Sequence, residues 1–348
     1  MILITGGAGY IGSHAAVELL EKGYEIVVLD SLVNSNYEVI SRIKELTGKE
    51  FKFYQVDLLN EEQVERIFKQ HDIRAVMHFA GLKAVGESVS FPLNYYENNI
   101  SGTLNLCKVM QKYNVRNLVF SSSATVYKAL GNGPVRETSR LGPNNPYGRT
   151  KLMIEEILHD LYSSDPSWNI AILRYFNPIG AHESGRIGED PSGVPNNLMP
   201  FITQVAIGRR PLLKVFGEDY ETNDGTGVRD YIHVMDLVKG HLKALDYLAD
   251  HSGIETFNLG TGQGYSVFDL MKAFVSASNV QIPYQVVEKR KGDVAVCFAD
   301  PEKARKRLLW KAEKNLFEMC QDAWRWQTSN PLGYQVIKTE VEVKSEVK

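Results

Sequence analysis

ILITGGAGYIG, residues 2–12, is a short apolar run followed by glycines at every third position. The run predicts a buried strand, and Gly6, Gly9 and Gly12 predict a tight turn that leads into a helix. In this pattern the first glycine permits the turn, the second lets a pyrophosphate approach the backbone, and the third lets the helix pack on the strand. The N-terminus of the helix then faces the pyrophosphate. The stretch therefore predicts a dinucleotide site, although such glycines also occur in ordinary turns.

The first half of the chain alternates apolar runs with amphipathic stretches. Near-continuous apolar runs, such as residues 26–29, are typical of strands covered on both faces. The alternation predicts βαβ units, and therefore an α/β fold with a Rossmann-type, doubly wound parallel sheet. The predicted strands are 2–5, 25–29, 51–56, 75–79, 117–122 and 170–175, and the predicted helices are 11–22, 61–70, 93–113 and 148–162.

The composition of the chain changes after residue 176. Residues 177–230 are rich in Gly, Pro, Asn and Asp, with one predicted helix at 198–208, and shorter elements follow. We predict a Rossmann domain at 1–176 and a smaller C-terminal α/β substrate domain at 177–334, from which segments can return to the first domain. Residues 335–348 alternate Val with Lys and Glu and predict a disordered tail, and Tyr334, four residues before Lys338, is assigned to its start.

Charge and cysteine content exclude several classes of function. The net charge of −3 gives no bulk electrostatic basis for binding nucleic acid or an anionic membrane. No apolar run approaches the roughly 18 residues of a membrane span, and no signal peptide is evident. Three widely spaced cysteines form neither a disulfide framework nor a metal site. We therefore expect a cytoplasmic protein with reduced thiols and no metal.

Three further strand ends support a cofactor site. Asp30 ends the second predicted strand about 20 residues after the glycines, where a carboxylate binds a ribose diol. Because a carboxylate would repel a 2′-phosphate, NAD is favoured over NADP. Asp57 closes the third strand and could hold the adenine amine, or could instead be a helix N-cap. Phe79, Ala80 and Gly81 close the fourth, where small residues let the backbone follow the cofactor.

Tyr147 and Lys151 lie four residues apart in a predicted helix, so that they project from one face. A free tyrosine has a pKa near 10 and is a poor base at neutral pH. A nearby ammonium and a cationic nicotinamide both favour the phenolate, which could then accept a proton from a sugar hydroxyl. Ser123 follows the fifth strand, at the edge of the sheet where ligands bind, and is predicted to converge with Tyr147.

These motifs are similar to those of the extended short-chain dehydrogenase/reductase family. The resemblance runs from residue 1 to about 334 and also includes Arg174-Tyr175-Phe176-Asn177-Pro178, residues 195–200 and residues 224–234. It implies tightly bound NAD that is not consumed, and inversion of the C4 hydroxyl of UDP-glucose and UDP-galactose through a transient 4-keto sugar. Tyr147, Lys151 and Ser123 would be catalytic. The family is usually homodimeric, through helices that correspond to residues 93–113 and 148–162.

The resemblance also implies two sets of binding residues. Those for the cofactor are Gly6, Gly9, Tyr10, Ile11, Gly12, Asp30, Asn34, Ser35, Asp57, Leu58, Phe79, Ala80, Gly81, Lys83, Asn98, Ser121, Tyr147, Lys151 and Tyr175. Those for the substrate are Lys83, Ser123, Tyr147, Phe176, Asn177, Asn197, Leu198, Phe216, Arg229, Tyr231, Arg290, Asp293 and Cys297. Arginines suit a diphosphate, which they can bind in bidentate fashion.

Cys297 matches the position that gates the sugar pocket in this family. Family members restricted to glucose and galactose have a tyrosine there, and a smaller residue leaves room for a 2-acetamido group. The resemblance therefore implies that UDP-GlcNAc and UDP-GalNAc are also interconverted. The alternative is that Cys297 is simply a buried strand cysteine.

Three related functions differ from this one in the residues that they need. A 4,6-dehydratase needs an acid pair after the serine, but Ala124 and Thr125 stand there and cannot supply acid–base chemistry. A UDP-glucuronate 4-epimerase, or another enzyme of this family that modifies nucleotide sugars, stays open. A non-catalytic regulator that senses NAD would normally lack the tyrosine–lysine pair, which this chain keeps.

Overall fold

The computed structural model describes residues 1–128, 133–290 and 293–335. Its strands are β1 (Ile2–Thr5), β2 (Ile26–Asp30), β3 (Lys52–Gln55), β4 (Ala75–His78), β5 (Asn117–Ser121), β6 (Asn169–Tyr175), β7 (Asn177–Ile179), β8 (Leu213–Phe216), β9 (Val228–Arg229), β10 (Tyr231–His233), β11 (Gly253–Leu259), β12 (Tyr265–Ser266), β13 (Tyr284–Val287) and β14 (Val296–Cys297). Its α-helices are α1 (Tyr10–Glu21), α2 (Glu38–Thr47), α3 (Glu61–Gln70), α4 (Val85–Ser90), α5 (Pro92–Tyr95), α6 (Gly102–Lys112), α7 (Pro146–Ser164), α8 (Leu198–Ala206), α9 (Val234–Asp250), α10 (Val267–Ser278), α11 (Glu302–Arg307) and α12 (Leu316–Ser329).

Seven parallel strands form the central sheet, in the order β3-β2-β1-β4-β5-β6-β11. Alternate residues of each strand face opposite sides, as Leu3 and Ile4 of β1 do, because successive side chains of a strand point apart. Helices α1, α2 and α9 cover the face that contains Ile4, and α3, α6 and α7 cover the other. Burial on both faces explains the near-continuous apolar strands and confirms the predicted Rossmann-type α/β fold.

A second core lies in the C-terminal half. Helices α8, α10 and α12 pack around the parallel pair of β8 and β13 through apolar side chains such as Ile202, Phe274 and Met319. Short sheets connect this part to the central one: β7 pairs with β10, and β9 pairs with both β12 and β14. The carboxyl edge of the large sheet thus faces the loops that precede the second core.

The structure departs from the sequence prediction at several elements. The predicted helix 93–113 is divided into α5, a π-helical segment at Tyr96–Ser101, and α6. Helix α2 is additional to those predicted. The long helix α9 and strand β11, from the C-terminal half, complete the central sheet, because β11 pairs with β6 over its full length. None of the described helices is long and apolar enough to cross a membrane.

Tyr334 corrects the expectation of a loose tail. Its side chain is buried, and its hydroxyl donates to the carbonyl of Gly188 and accepts from the amide of Gly188, at 3.1 and 3.0 Å. The ring also packs against Trp326. The predicted tail is 335–348, and its residues 336–348, including Lys338, lie outside the described residues.

Candidate functional site

The glycine turn brings three backbone segments closer together than side chains would allow. Gly6 has a φ of +69°, and a Cβ there would lie 2.6 Å from the amide nitrogen of Ala80. A Cβ on Gly12 would lie 2.2 Å from the carbonyl oxygen of Gly6. Helix α1 therefore begins in direct contact with the end of β1, and the amides of its first turn, which have no acceptor inside a helix, can bind an anion.

Asp30 ends β2 beside this turn. Its Oδ2 accepts from the amide of Ala8 at 3.0 Å, and its Oδ1 accepts from the amide of Leu32 at 2.9 Å and the hydroxyl of Ser35 at 2.8 Å. These bonds fix the carboxylate at the carboxyl edge of the sheet, where a ribose binds in this fold. Asp57 is exposed and accepts from the amide of Leu59, whereas Asn60 is the N-cap of α3.

A cavity of about 740 Å³ opens at these strand ends. Its wall includes every residue predicted to bind the cofactor except Ser121. Of the residues predicted for the substrate, it includes Lys83, Tyr147 and Asn197. The hydroxyl of Ser121 instead bonds with His241 at 2.8 Å, and its carbonyl accepts from Lys151 at 2.8 Å. Ser121 thus lies behind the cavity and holds a residue of its wall.

Of the predicted catalytic residues, Tyr147 and Lys151 belong to the wall of this cavity, and Ser123 lies next to Tyr147. Helix α7 starts at Pro146, and the side chain of Asn145 caps it by accepting from the amide of Gly148 at 2.8 Å. A Cβ on Gly148 would lie 2.7 Å from the carbonyl oxygen of Thr125, so the helix begins against the turn that follows Ser123. Tyr147 consequently lies within hydrogen-bonding reach of Ser123.

Burial dominates the electrostatics of this pair. It raises the pKa of Tyr147 to about 12, and the hydrogen bond with Ser123 opposes that rise. It lowers the pKa of Lys151 to about 8, and the negative charge of Glu155 opposes that fall. The sequence predicts that Lys151 favours the phenolate; in the structure its ammonium is directed to the carbonyl of Ser121 and lies over the ring of Phe120. Burial is therefore the larger influence on Tyr147.

A buried ion pair that the sequence analysis did not identify lies behind the catalytic residues. Glu155, one helical turn after Lys151, accepts from Nε of Arg174 at 3.0 and 3.1 Å, and it also accepts from the hydroxyl of Ser122. Both charged side chains are almost fully buried. The pair therefore holds Ser122, which lies between Ser121 and Ser123 in the chain. An i, i+4 spacing from Lys151 was the available signal.

Four of the residues predicted to bind UDP contact one another in two pairs, and none of the four belongs to the wall of the cavity. In one, Arg229 donates to Asp293 at 3.2 Å and lies opposite Cys297 in the pairing of β9 with β14. In the other, the guanidinium of Arg290 covers the ring of Phe216 at 4.0 Å. Tyr231 of β10 pairs with Asn177 of β7, and Phe176 directly precedes β7. Leu198 starts α8, next to Asn197.

Cys297 is half-buried and packs against a small apolar cluster that contains Val126, Tyr127 and Phe176. Val126 and Tyr127 directly follow the turn that carries Ser123. Cys297 is therefore close to the segment that carries Ser123. Burial raises the pKa of its thiol.

Comparisons with known proteins find similarity to enzymes that modify nucleotide sugars. The model of the GDP-mannose 4,6 dehydratase family matches residues 3–323. A UDP-glucose 4-epimerase from Bacillus subtilis (strain 168) is 59% identical over 334 residues, which cover 96% of this chain and 98% of the relative. One from Dictyostelium discoideum is 58% identical over 334 residues, covering 96% and 97%. The crystal structure of UDP-glucose 4-epimerase from Bifidobacterium longum, in complex with NAD+ and UDP, superposes with a TM-score of 0.93 at 50% identity, covering 95% of this chain and 99% of that one.

Proposed function

The chain belongs to the UDP-glucose 4-epimerases, and we infer that it interconverts UDP-glucose and UDP-galactose with NAD as its cofactor. The observation that supports this inference is that Tyr147 and Lys151 belong to the wall of the dinucleotide cavity, with Ser123 within hydrogen-bonding reach of Tyr147. The matching family model is named after a 4,6-dehydratase. Ala124 and Thr125, however, stand where dehydration needs an acid pair. The lack of acids at these two positions supports epimerisation over dehydration.

The residues present fit NAD. Gly6 and Gly12 leave a turn that any Cβ would fill, and the amides of the first turn of α1 suit a pyrophosphate. Asp30 is fixed where it can accept from a ribose diol and would repel a 2′-phosphate. When bound, oxidised nicotinamide supplies a hydride acceptor and a positive charge beside the phenol. We propose that the remaining cofactor residues named above line its path.

In the proposed mechanism, Tyr147 takes the proton of the sugar 4-hydroxyl as hydride leaves C4, and it returns the proton after the sugar has turned over. Ser123 stabilises the transferring proton through its hydrogen bond with Tyr147. Lys151 keeps positive charge near the phenolate. Arg229 and Arg290 would anchor the diphosphate, with Phe216 against uracil and Asp293 on the ribose. Burial of Tyr147 and Lys151 keeps water from the reactive ketone.

The test is conversion of UDP-galactose by the purified protein with no NAD added, measured by chromatography. We expect UDP-glucose to form, because the cofactor is retained and regenerated in each turnover. If UDP-galactose stays unchanged even after NAD is supplied, while UDP-glucuronate is epimerised, the substrate assignment is wrong.

We propose that the sugar pocket also accepts 2-acetamido sugars, because Cys297 is small and lies near the segment that carries Ser123. Replacing Cys297 with tyrosine should lower kcat/KM for UDP-GalNAc by about 100-fold or more, because the larger ring would clash with the acetamido group. The value for UDP-galactose should change by less than about threefold.

The control for this substitution is Cys297→Ala, which keeps the pocket open and should leave both kcat/KM values near those of the wild type. The measurement is the ratio of the two values for each variant. A ratio that Cys297→Tyr does not change would show that this position does not gate the pocket.

We also propose that the protein is a cytoplasmic homodimer. Its three cysteines are free, as expected of a reducing compartment. Large apolar side chains are exposed on and beside α4, α5 and α7: Val89, Phe91, Leu93 and Met153. Leu93 is the most exposed of these four, at 79%. Exposed apolar side chains on helices that pack together, as α4, α5 and α7 do, are typical of a subunit interface.

The Leu93→Glu substitution tests this interface. Light scattering coupled to size exclusion should give twice the chain mass for the wild type and one chain mass for the variant, because a buried glutamate would be unpaired. Leu309→Glu, at an equally exposed leucine elsewhere, should stay dimeric. A monomeric wild type, or a dimeric Leu93→Glu variant, would contradict the proposal.

A further inference from the structure

Glu189 joins two of the residues that are proposed to bind the substrate. Its Oε1 accepts from Nζ of Lys83 at 2.9 Å and from Nδ2 of Asn197 at 2.7 Å. All three residues belong to the wall of the main cavity. Lys83 comes from the loop after β4, and Asn197 is the N-cap of α8. A single carboxylate oxygen therefore links the cofactor side of the cavity to the part of the chain that contributes to UDP binding.

Trp326 and Tyr334 hold the backbone of Gly188 and Glu189 in place. Nε1 of Trp326 donates to the carbonyl of Glu189 at 3.1 Å, and the hydroxyl of Tyr334 bonds both polar groups of Gly188. A Cβ on Gly188 would lie 2.4 Å from the ring of Trp326, so the loop packs directly on that indole. These contacts involve main-chain atoms of Gly188 and Glu189. The Glu189 side chain can therefore be changed without removing them.

The ion pair is asymmetric in its exposure. The side chain of Lys83 is 54% exposed, whereas that of Glu189 is 9% exposed. Lysine carries several rotatable bonds, and an exposed ammonium samples many positions. A carboxylate that is fixed and largely buried limits those positions. Oε2 of Glu189 and Oδ1 of Asn197 have no hydrogen-bond donor among the described residues. The amide of Asn197 is thus oriented with its acceptor free.

We propose that Glu189 is a positioning residue for the substrate: it orients the amide of Asn197 and the ammonium of Lys83 for binding of the UDP-sugar. This proposal rests on the proposed function, because the roles of Lys83 and Asn197 come from it. The orienting bonds lower the conformational entropy that these side chains would lose when the ligand binds. Glu189 itself takes no proton in the reaction.

The test measures binding of UDP, which does not react, by calorimetry on the NAD-containing protein. Glu189→Ala should weaken binding of UDP by about tenfold, as expected for loss of charge-assisted orienting bonds. Glu189→Gln keeps an acceptor oxygen and should bind UDP within about threefold of the wild type. Glu183→Ala changes an exposed residue of the same segment and should have no effect. NAD content and melting temperature should be unchanged in all three.

A double-mutant cycle separates positioning from an independent contact. If Glu189 acts through Asn197, Glu189→Ala should weaken binding of UDP by less than about threefold when Asn197 is already alanine. Additive effects, or equal losses for Glu189→Ala and Glu189→Gln, would overturn the proposal, as would a Glu189→Ala variant that binds UDP like the wild type. A wild type that binds no UDP at all would instead overturn the proposed function, and this proposal with it.

Discussion

Replacing Tyr147 with phenylalanine is expected to lower turnover of UDP-galactose by about 10²–10⁴-fold, the range for loss of a positioned general acid–base group. Phenylalanine keeps the buried ring but removes the hydroxyl, which bonds with Ser123 and is proposed to exchange the proton of the sugar. Because the ring still fills its site, the melting temperature and the bound NAD should change little. The measurement is the steady-state rate of the purified variant, with its NAD content determined after denaturation.

Tyr162→Phe is the matched control, since Tyr162 lies on the same helix and is only partly buried. It should keep nearly the full turnover. A Tyr147→Phe variant that retains more than about a tenth of the wild-type rate would show that the proton passes through another group.

Replacing Glu155 with alanine is expected to give the largest loss of stability. The change leaves the buried guanidinium of Arg174 without its ion-pair partner and removes the bond to Ser122. Breaking a buried pair by removing one partner typically costs about 3–5 kcal/mol in the free energy of unfolding. Turnover should fall as well, because the charge that opposes the fall in the pKa of Lys151 is lost.

The measurement is urea unfolding at fixed concentrations of protein and NAD, since a ligand that binds the folded state shifts apparent stability. Glu156→Ala, at the exposed neighbouring position, should change the unfolding free energy by less than about 0.5 kcal/mol. If Glu155→Ala lost no more than Glu156→Ala, the pair would not hold the end of β5 and its serines in place.

Local sequence pattern predicted the elements whose geometry depends on near neighbours. The glycine turn and Asp30 are joined to a strand and a helix by short spacings, and their positions follow from the βαβ order. Tyr147 and Lys151 are separated by one helical turn. The family fold and the NAD cofactor, predicted from these features, are confirmed by the comparisons.

Features that depend on long-range packing could not be predicted in this way. Strand β11 joins the central sheet only because α9 returns to pack on α1, and neither has a local marker of that path. The residues around Tyr334 have the composition of a tail, yet its hydroxyl bonds with Gly188, 146 residues earlier in the chain, and its ring packs on Trp326. Glu189 meets Lys83 across a sequence separation of 106 residues, so no spacing rule identifies the pair.

The raised pKa of Tyr147 also depends on long-range packing. Sequence spacing places an ammonium near the phenol, but the extent of burial and the direction of Lys151 toward Ser121 are tertiary properties. Desolvation penalises the phenolate, and in the proposed mechanism the positive charge that offsets this penalty comes from Lys151 together with the oxidised nicotinamide.

The position of an isotope at C4 tests the central claim most directly. UDP-galactose with deuterium at C4 is converted in ordinary water, and the UDP-glucose formed is examined by mass spectrometry and NMR. We expect the deuterium to remain at C4, because the hydride that leaves this carbon returns to it within the closed site. Loss of the deuterium to water would indicate removal of a proton from C4 and would contradict the proposed roles of NAD and Tyr147.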